Sequence, residues 1–261
     1  VQNIQYQKRT TTWQARESVT DSPDIQYRSS IAMDSEDNVH VVWYGKGWGD
    51  NTTIYNIQYR KRTTTWQAQE GVTDSPDIQY RPSIAIDSGD NVHVVWYGKG
   101  WGDNTTVYNI QYRKRTTTWQ AQEGVTDGPD IQIYPAIAID SEDNVHVAWY
   151  GLGWGENTAK YNIQYRKRTT TWQTQEGITD RAYDNKYANL IYALHPTVSE
   201  VKTNRPKAGY ALVWSGQDAG GYKVEFFKST DLEWEEAAPP PPAAGIAGAS
   251  IATKMMAAGM I

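Results

Sequence analysis

The chain of 261 residues carries 25 basic and 30 acidic side chains, a formal charge of −5, and no cysteine. Dispersed, mildly acidic charge lacks the basic stripe of a nucleic-acid binder, and without cysteine neither a disulfide framework nor a thiolate metal site can form. The aromatics are skewed to 12 Trp and 18 Tyr against 2 Phe, residues that join an apolar body to a polar tip and suit half-exposed sheets and binding surfaces.

In chain order, NIQYQKRTTTW opens at Asn3 and returns as NIQYRKRTTTW at Asn56, Asn109 and Asn162. Trp43, Trp96 and Trp149 keep the same 53-residue interval. A period of this kind marks a solenoid, a propeller or another array. Residues 82–123 show what one repeat builds. PSIAID puts Ile84 and Ile86 on one face, and DSGDN (87–91) is a turn. NVHVVWYG sets Val92, Val94 and Trp96 against His93, Val95 and Tyr97, so both faces are largely apolar, as in a strand covered on both sides. YNIQYRKR (108–115) alternates Ile110 and Tyr112 with Gln111 and Arg113, a half-buried strand. TTWQAQE (117–123) alternates Trp119 and Ala121 with Gln120 and Gln122, and no helical stripe competes.

Four antiparallel strands running from apolar to polar describe a propeller blade whose outer strand is blunted by polarity. The expected fold class is therefore all-β, a β-propeller of about five blades. Four full blades cover about 30–70, 83–123, 136–176 and 195–236, and residues 3–17 supply a half-blade. In the drifted fourth copy the strands read HPTVSEV (195–201), GYALVWSG (209–216), YKVEFFKS (222–229) and LEWEE (232–236). Residues 1–236 form the propeller domain, and 237–261 a Pro/Ala/Gly-rich tail. AAPPPPAAG has the composition of a polyproline spacer. ASIATKMMAAGMI either closes the ring or begins a membrane or assembly segment. For closure, Trp234 precedes Ser250 by 16 residues, much as Trp66 precedes Ser83 by 17. Against a span, Lys254 interrupts a stretch already short of the roughly 20 apolar residues needed.

PSIAIDSGDNVHVVWYG followed by YNIQYRKRTTTW resembles the sialidase-like, BNR-repeat (Asp-box) β-propellers of secreted and surface proteins, over residues 3–236. STDLEW (229–234) approaches the family's Asp box, Ser/Thr-x-Asp-x-Gly-x-x-Trp, while RTTTW keeps only its Trp. The resemblance implies an extracellular or cell-surface protein. The family's enzymes use an arginine triad, a Tyr/Glu nucleophile pair and an Asp acid/base. Arg28 and Arg81 stand before the first strand of a blade somewhat as family arginines do; the third copy has Tyr134 there, and the fourth Leu194 and His195. No unique Tyr/Glu pair can be assigned, and the repeats differ too little to build one asymmetric active site. The expectation is a non-enzymatic member without catalytic residues or cofactors.

Strand parity puts GKGWGDNTT, after the second strand, and DSPDIQYRPS, after the fourth, on one face of the disc. These long loops carry Trp48, Trp101 and Trp154, with Asp50, Asp103 and Glu156 and with Tyr27, Tyr80 and Tyr134. Long loops on a rigid scaffold are where binding concentrates. A Trp face stacks on a sugar ring, carboxylates and amides (Asp50, Asn51, Gln26) bond its hydroxyls, and three weak sites gain through avidity. The expected function is a lectin-like module for a glycan or surface-protein ligand, with no nucleic-acid partner. The alternative is a structural surface or filament component. It would form a homo-oligomer or larger assembly, with membrane association through the tail. A third reading gives Gly47-Trp48-Gly49 to packing between blades with Asp50 capping a turn; exposure of the Trp48 ring separates it from the first. His40, His93 and His146 fall on different blades, so they read as buried, hydrogen-bonded residues rather than metal ligands, and DSEDN (34–38) as a turn rather than a calcium loop. NTT at Asn51 and Asn104 is an N-glycosylation sequon, and NTA at Asn157 is not.

Overall fold

The computed structural model describes residues 1–193, 209–218, 221–230 and 233–236, and every regular element among them is a β-strand. A half-blade pairs β1 (Gln5–Tyr6) with β2 (Glu17–Ser18). Four four-stranded antiparallel blades follow, each in simple meander order. The first is β3 (Gln26–Met33), β4 (Val39–Gly45), β5 (Asn56–Arg62) and β6 (Glu70–Gly71). The second is β7 (Gln79–Ile86), β8 (Val92–Gly98), β9 (Asn109–Arg115) and β10 (Glu123–Gly124). The third is β11 (Gln132–Ile139), β12 (Val145–Gly151), β13 (Asn162–Arg168) and β14 (Glu176–Gly177). The fourth is β15 (Asn185–Ala193), β16 (Gly209–Asp218), β17 (Gly221–Thr230) and β18 (Glu233–Glu236). The repeat is a propeller blade, as its strand pattern indicates.

Three local expectations change. The inner strand of the fourth blade is β15, because Asn185 keeps the 53-residue interval from Gln132. HPTVSEV lies outside the described residues, as does the tail 237–261 with its closure, spacer and membrane readings. In the outer strand, TTWQAQE makes a single bridge, Arg115 with Trp119, and pairing resumes only at Glu123–Gly124. Such a short, interrupted edge offers little to a foreign strand. Finally, Gln111 is buried rather than exposed, its Oε1 accepting from Gln122 Nε2 at 2.6 Å.

The core lies between blades. Val42, Ile57 and Tyr59 of the first blade pack with Ile84, Val92 and Trp96 of the second. The second strands are buried on both faces, as their double apolar pattern requires. Trp43, Trp96 and Trp149 are fully buried, and each Nε1–H donates to the Oε1 of the glutamine opening its inner strand, Gln26, Gln79 or Gln132, at 2.7, 2.8 and 2.7 Å. A buried indole N–H needs such an acceptor. At the rim, Arg62, Arg115 and Arg168 each fork onto the glutamate of the preceding unit, Glu17, Glu70 or Glu123.

The recurring histidines are buried and bonded at both nitrogens. His40 Nδ1 meets Tyr59 Oη at 2.7 Å and its Nε2 meets Asp34 Oδ2 at 3.0 Å, where Lys61 Nζ also lies at 2.9 Å. His93 with Tyr112 and Asp87, and His146 with Tyr165 and Asp140, repeat the arrangement. A neutral imidazole satisfies it by donating Nε2–H to the carboxylate and accepting the phenol proton at Nδ1. Burial would raise Asp34 and Asp87, but bonds from histidine, asparagine and lysine hold both carboxyls well below the usual range.

Burial pushes all three imidazoles down against the opposing pull of their aspartates, His146 from 6.5 to about 4. Above pH 6.5 folded and unfolded chains are both neutral at this site. Between 6.5 and 4 the unfolded chain gains a proton that the folded one refuses, so stability falls as pH falls. Each pKa unit is worth about 1.4 kcal/mol, so His146 alone should cost about 3 kcal/mol at pH 4. Urea titrations at pH 7, 5.5 and 4.5 should show a falling midpoint, and a His146→Gln chain should lose part of that dependence. A midpoint flat over this range would refute the assignment of neutral imidazoles.

Candidate functional site

The tryptophan loop is built first from its glycines. Gly47 and Gly49 stand at φ 79 and 65 on either side of Trp48, a left-handed backbone open to glycine. The turn is tied to the loop leaving the outer strand. Asp74 accepts from the N–H of Asp50 at 2.9 Å, the N–H of Asn51 at 3.2 Å and Asn51 Nδ2 at 3.0 Å. Those bonds, the one from Asp50 foremost, hold the Asp74 carboxyl below its ordinary value. Asp127 likewise accepts from the N–H groups of Asp103 and Asn104, and Asp180 from those of Glu156 and Asn157. The indole of Trp48 lies directly on Gly71 of β6, where any β-carbon would run into Nε1. Trp101 lies likewise on Gly124, and Trp154 on Gly177. All three rings are half-buried.

The loop therefore serves packing within its own blade, and only part of each ring stays open. Asp50, Asp103 and Glu156 contribute backbone N–H groups while their side chains are exposed. Asn51 and Asn104 use Nδ2 on the aspartate, and Asn157, outside any sequon, makes the same bond. Gln26 is buried and spent, its Oε1 on Trp43 and its Nε2 on the Lys46 carbonyl at 3.0 Å.

The tyrosines stand elsewhere. Each inner strand carries a bulge two residues after its opening Gln or Asn, seen as a register shift against the second strand between Tyr27 and Ser30, Tyr80 and Ser83, Ile133 and Ala136, and Lys186 and Asn189. The residue at the bulge is left-handed in all four blades: Arg28 and Arg81 at φ 49, Tyr134 at 58 and Tyr187 at 59. Bulges re-aim side chains, and these four converge on a cleft of about 370 Å³ that also takes in Ser30 and Asn189. A second lobe of about 260 Å³ shares Arg81 and Tyr134 with it and is walled by Tyr27, Tyr44, Tyr55, Tyr80 and Tyr97.

Aromatic contacts fix this wall. Tyr134 stacks between Tyr97 and Tyr150, with centroids at 5.7 and 5.1 Å, and Arg81 Cζ sits 4.0 Å from the Tyr134 centroid. Burial raises the phenols of Tyr44, Tyr80 and Tyr97, so at neutral pH they remain hydroxyls able to donate and accept. No carboxylate lines either lobe among the described residues. The groups presented to a ligand are guanidinium, phenol, hydroxyl and amide.

The nine site residues expected from sequence thus divide. Tyr27, Tyr80 and Tyr134 come together at the cleft, while the Trp and acidic sets sit apart in the loops after the second strands, the indoles resting on the outer-strand glycines. Tyr134 also holds the place of Arg81, not of Tyr80, whose counterpart is Ile133. Sequence reasoning missed Tyr44, Tyr55 and Tyr97, although each recurs at the 53-residue interval. It missed Tyr187 because Leu194 and His195, seven and eight residues further on, stood in its place as the counterparts of Tyr134.

No family model matches the sequence, and no curated protein matches it in sequence. Solved structures match its fold. A protein of unknown function from Dyadobacter fermentans does so at TM-score 0.55 and 10% identity, covering 82% of this chain and 64% of that one. A thermostable family-43 glycoside hydrolase does so at 0.54 and 8%, covering 88% and 84%. Penicillium chrysogenum α-L-arabinanase, complexed with arabinobiose, does so at 0.55 and 10%, covering 86% and 69%. At such identities the likeness is one of fold. It nonetheless overturns the expectation of a chain that is not an enzyme, since propellers of this fold include sugar-cleaving enzymes. The argument for that expectation also fails on geometry. The repeats do give the cleft an uneven lining, because the bulge residue changes from Arg in the first two blades to Tyr in the next two.

Proposed function

We propose that this propeller binds carbohydrate in its axial cleft and that the sugar it favours is acidic. The observation carrying this reading is the bulge residue. A backbone that needs only positive φ favours glycine, yet four blades place Arg28, Arg81, Tyr134 and Tyr187 there. Residues kept in a costly conformation around a cleft point to a use for their side chains. Guanidinium groups grip a carboxylate or sulfate with paired N–H donors, tyrosine faces receive the C–H face of a pyranose, and the phenols bond its hydroxyls. The absence of carboxylates from the described lining removes a source of repulsion toward an acid. That solved propellers of this fold act on or hold sugars supports the carbohydrate class.

A multivalent, lectin-like rim belongs to the same reading as a peripheral surface, since Trp48, Trp101 and Trp154 are open in part and exposed carboxylates flank them. An extracellular or cell-surface setting, where polysaccharide is met, fits the sialidase-like strand frame.

The test is a glycan array of neutral and acidic oligosaccharides, probed with the parent chain, with Arg28→Ala and with the triple Trp48→Ala, Trp101→Ala, Trp154→Ala variant. Retained glycans are then analysed for shortened products, which separates turnover from binding alone. Acidic glycans should be held by the parent and by the Trp variant and released by Arg28→Ala. Loss in the Trp variant alone would move the sugar to the rim, and no retention by the parent would sink the proposal.

A further inference from the structure

The arginines of the bulge have cationic neighbours on the same two blades. Lys46 follows β4, where its N–H donates to the Ile25 carbonyl at 3.2 Å and its own carbonyl accepts from Gln26 Nε2 at 3.0 Å. Lys99 repeats both bonds, with Ile78 at 3.1 Å and Gln79 at 3.0 Å. Each lysine is thus fixed to the residues that lead into Tyr27-Arg28 or Tyr80-Arg81.

Their ammonium groups end on aromatic faces. Lys46 Nζ lies 4.9 Å from the Tyr55 centroid, and Lys99 Nζ 5.0 Å from that of Tyr108. Tyr55 walls the second lobe and meets Tyr44 at 5.6 Å, while Tyr108 meets Tyr97 at 5.4 Å. Burial raises the Tyr44 phenol, and the charges of Arg81 and Arg28 oppose it, so both guanidiniums stand near that ring. Tyrosine therefore runs without a break from the arginines to the lysines.

Charge pairing sets these two lysines apart. Lys61, Lys114 and Lys167 are tied to Asp34, Asp87 and Asp140. Lys46 and Lys99 form no ion pair among the described residues; Asp24 and Asp77, whose carboxylates lie against Gly47 and Gly100, stay beyond pairing distance. Around the ring the position reads Lys46, Lys99, Leu152 and Gln217, by the register that aligns Gly45, Gly98, Gly151 and Gly216. The cation over Tyr161 is Lys186, already paired with Asp184 at 2.9 Å. The unpaired ammonium groups thus belong to the blades that carry Arg28 and Arg81.

We propose, resting on the reading of the cleft as an acidic-sugar site, that its ligand is an oligosaccharide acidic on more than one unit, held across the first two blades. Arg28 and Arg81 take one carboxylate or sulfate, Lys46 and Lys99 take those of neighbouring units, and the tyrosines between them support the rings. An ammonium is a point charge without the planar fork of a guanidinium. The outer positions therefore read how many charges a chain carries rather than the identity of one sugar.

Calorimetry with galacturonate oligomers of one to four units, and with size-fractionated dextran sulfate alongside, tests this. The parent is compared with a Lys46→Met, Lys99→Met variant, which keeps apolar stems over the tyrosines. Parent affinity should rise with each added acidic unit, by roughly fivefold for each lysine engaged, as a half-exposed ion pair allows. The double variant should lose most of that rise. A rise that persists in it would place the extra charges elsewhere and overturn the inference. Equal affinity of the parent for one unit and for four would overturn it too, while leaving the acidic-sugar reading standing. If the parent holds none of these acids, both fail. The parent series needs no substitution, so it decides even if the variant folds poorly.

Discussion

Glycine at both Arg28 and Arg81 should weaken binding of an acidic oligosaccharide by roughly 100-fold or more while leaving the fold about as stable as before. Hydrogen bonds from a charged group contribute about 1.5–3 kcal/mol each, so two lost guanidinium contacts reach that figure. Against this, both arginines stand at φ 49, where a residue bearing a β-carbon costs about 1–2 kcal/mol relative to an unstrained backbone. Glycine relieves that cost at two places. The stack of Arg81 on Tyr134 is given up, a loss of about 0.5–1 kcal/mol. Calorimetry of binding and a thermal melt on the same variant separate the two effects. Unchanged affinity would remove the arginines from the site, and a melting point many degrees lower would recast them as blade supports.

Trp96→Ala should destabilise the chain by about 3–5 kcal/mol, as deleting a fully enclosed aromatic does, whereas Trp101→Ala, five residues along, should cost about 1–2 kcal/mol. Trp96 has no exposed surface and donates to Gln79; Trp101 is half-buried against the β10 glycine. Since a domain is commonly stable by only about 5–15 kcal/mol, the first change brings the fold near its limit and the second does not. Urea midpoints compare them. Equal costs would mean that the loop tryptophan is as deeply structural as the core one.

Much of the fold was legible in the sequence because period and alternation are local signals. The 53-residue interval gave the blades, and the doubly apolar NVHVVWYG gave a strand covered on both faces. What local alternation could not show was Gln111, polar in sequence yet buried, because its partner Gln122 sits across a strand gap that only the folded register reveals. NKYANLIYA (185–193) had lost the Pro-Ser-Ile-Ala-Ile wording of its sisters, while HPTVSEV kept a proline and an apolar run. Composition therefore outweighed interval, and the interval was right. The cleft was harder still. The conspicuous Gly-Trp-Gly repeats drew attention to the rim, where glycine turns out to answer steric demands of the tryptophan and aspartate. The axial residues were disguised by a one-residue bulge, which moves Tyr134 off the alternation that Tyr80 obeys.

The bulge also divides the chain's labour between a spelling and a page. Frame residues such as Trp43, Trp96 and Trp149 are the same in every copy, whereas the four addresses at 28, 81, 134 and 187 read Arg, Arg, Tyr, Tyr. These four addresses line the cleft, and they differ from blade to blade while the frame residues stay the same. A lineage of such propellers can explore ligands by single edits, one blade at a time, while duplication keeps reprinting the scaffold around them.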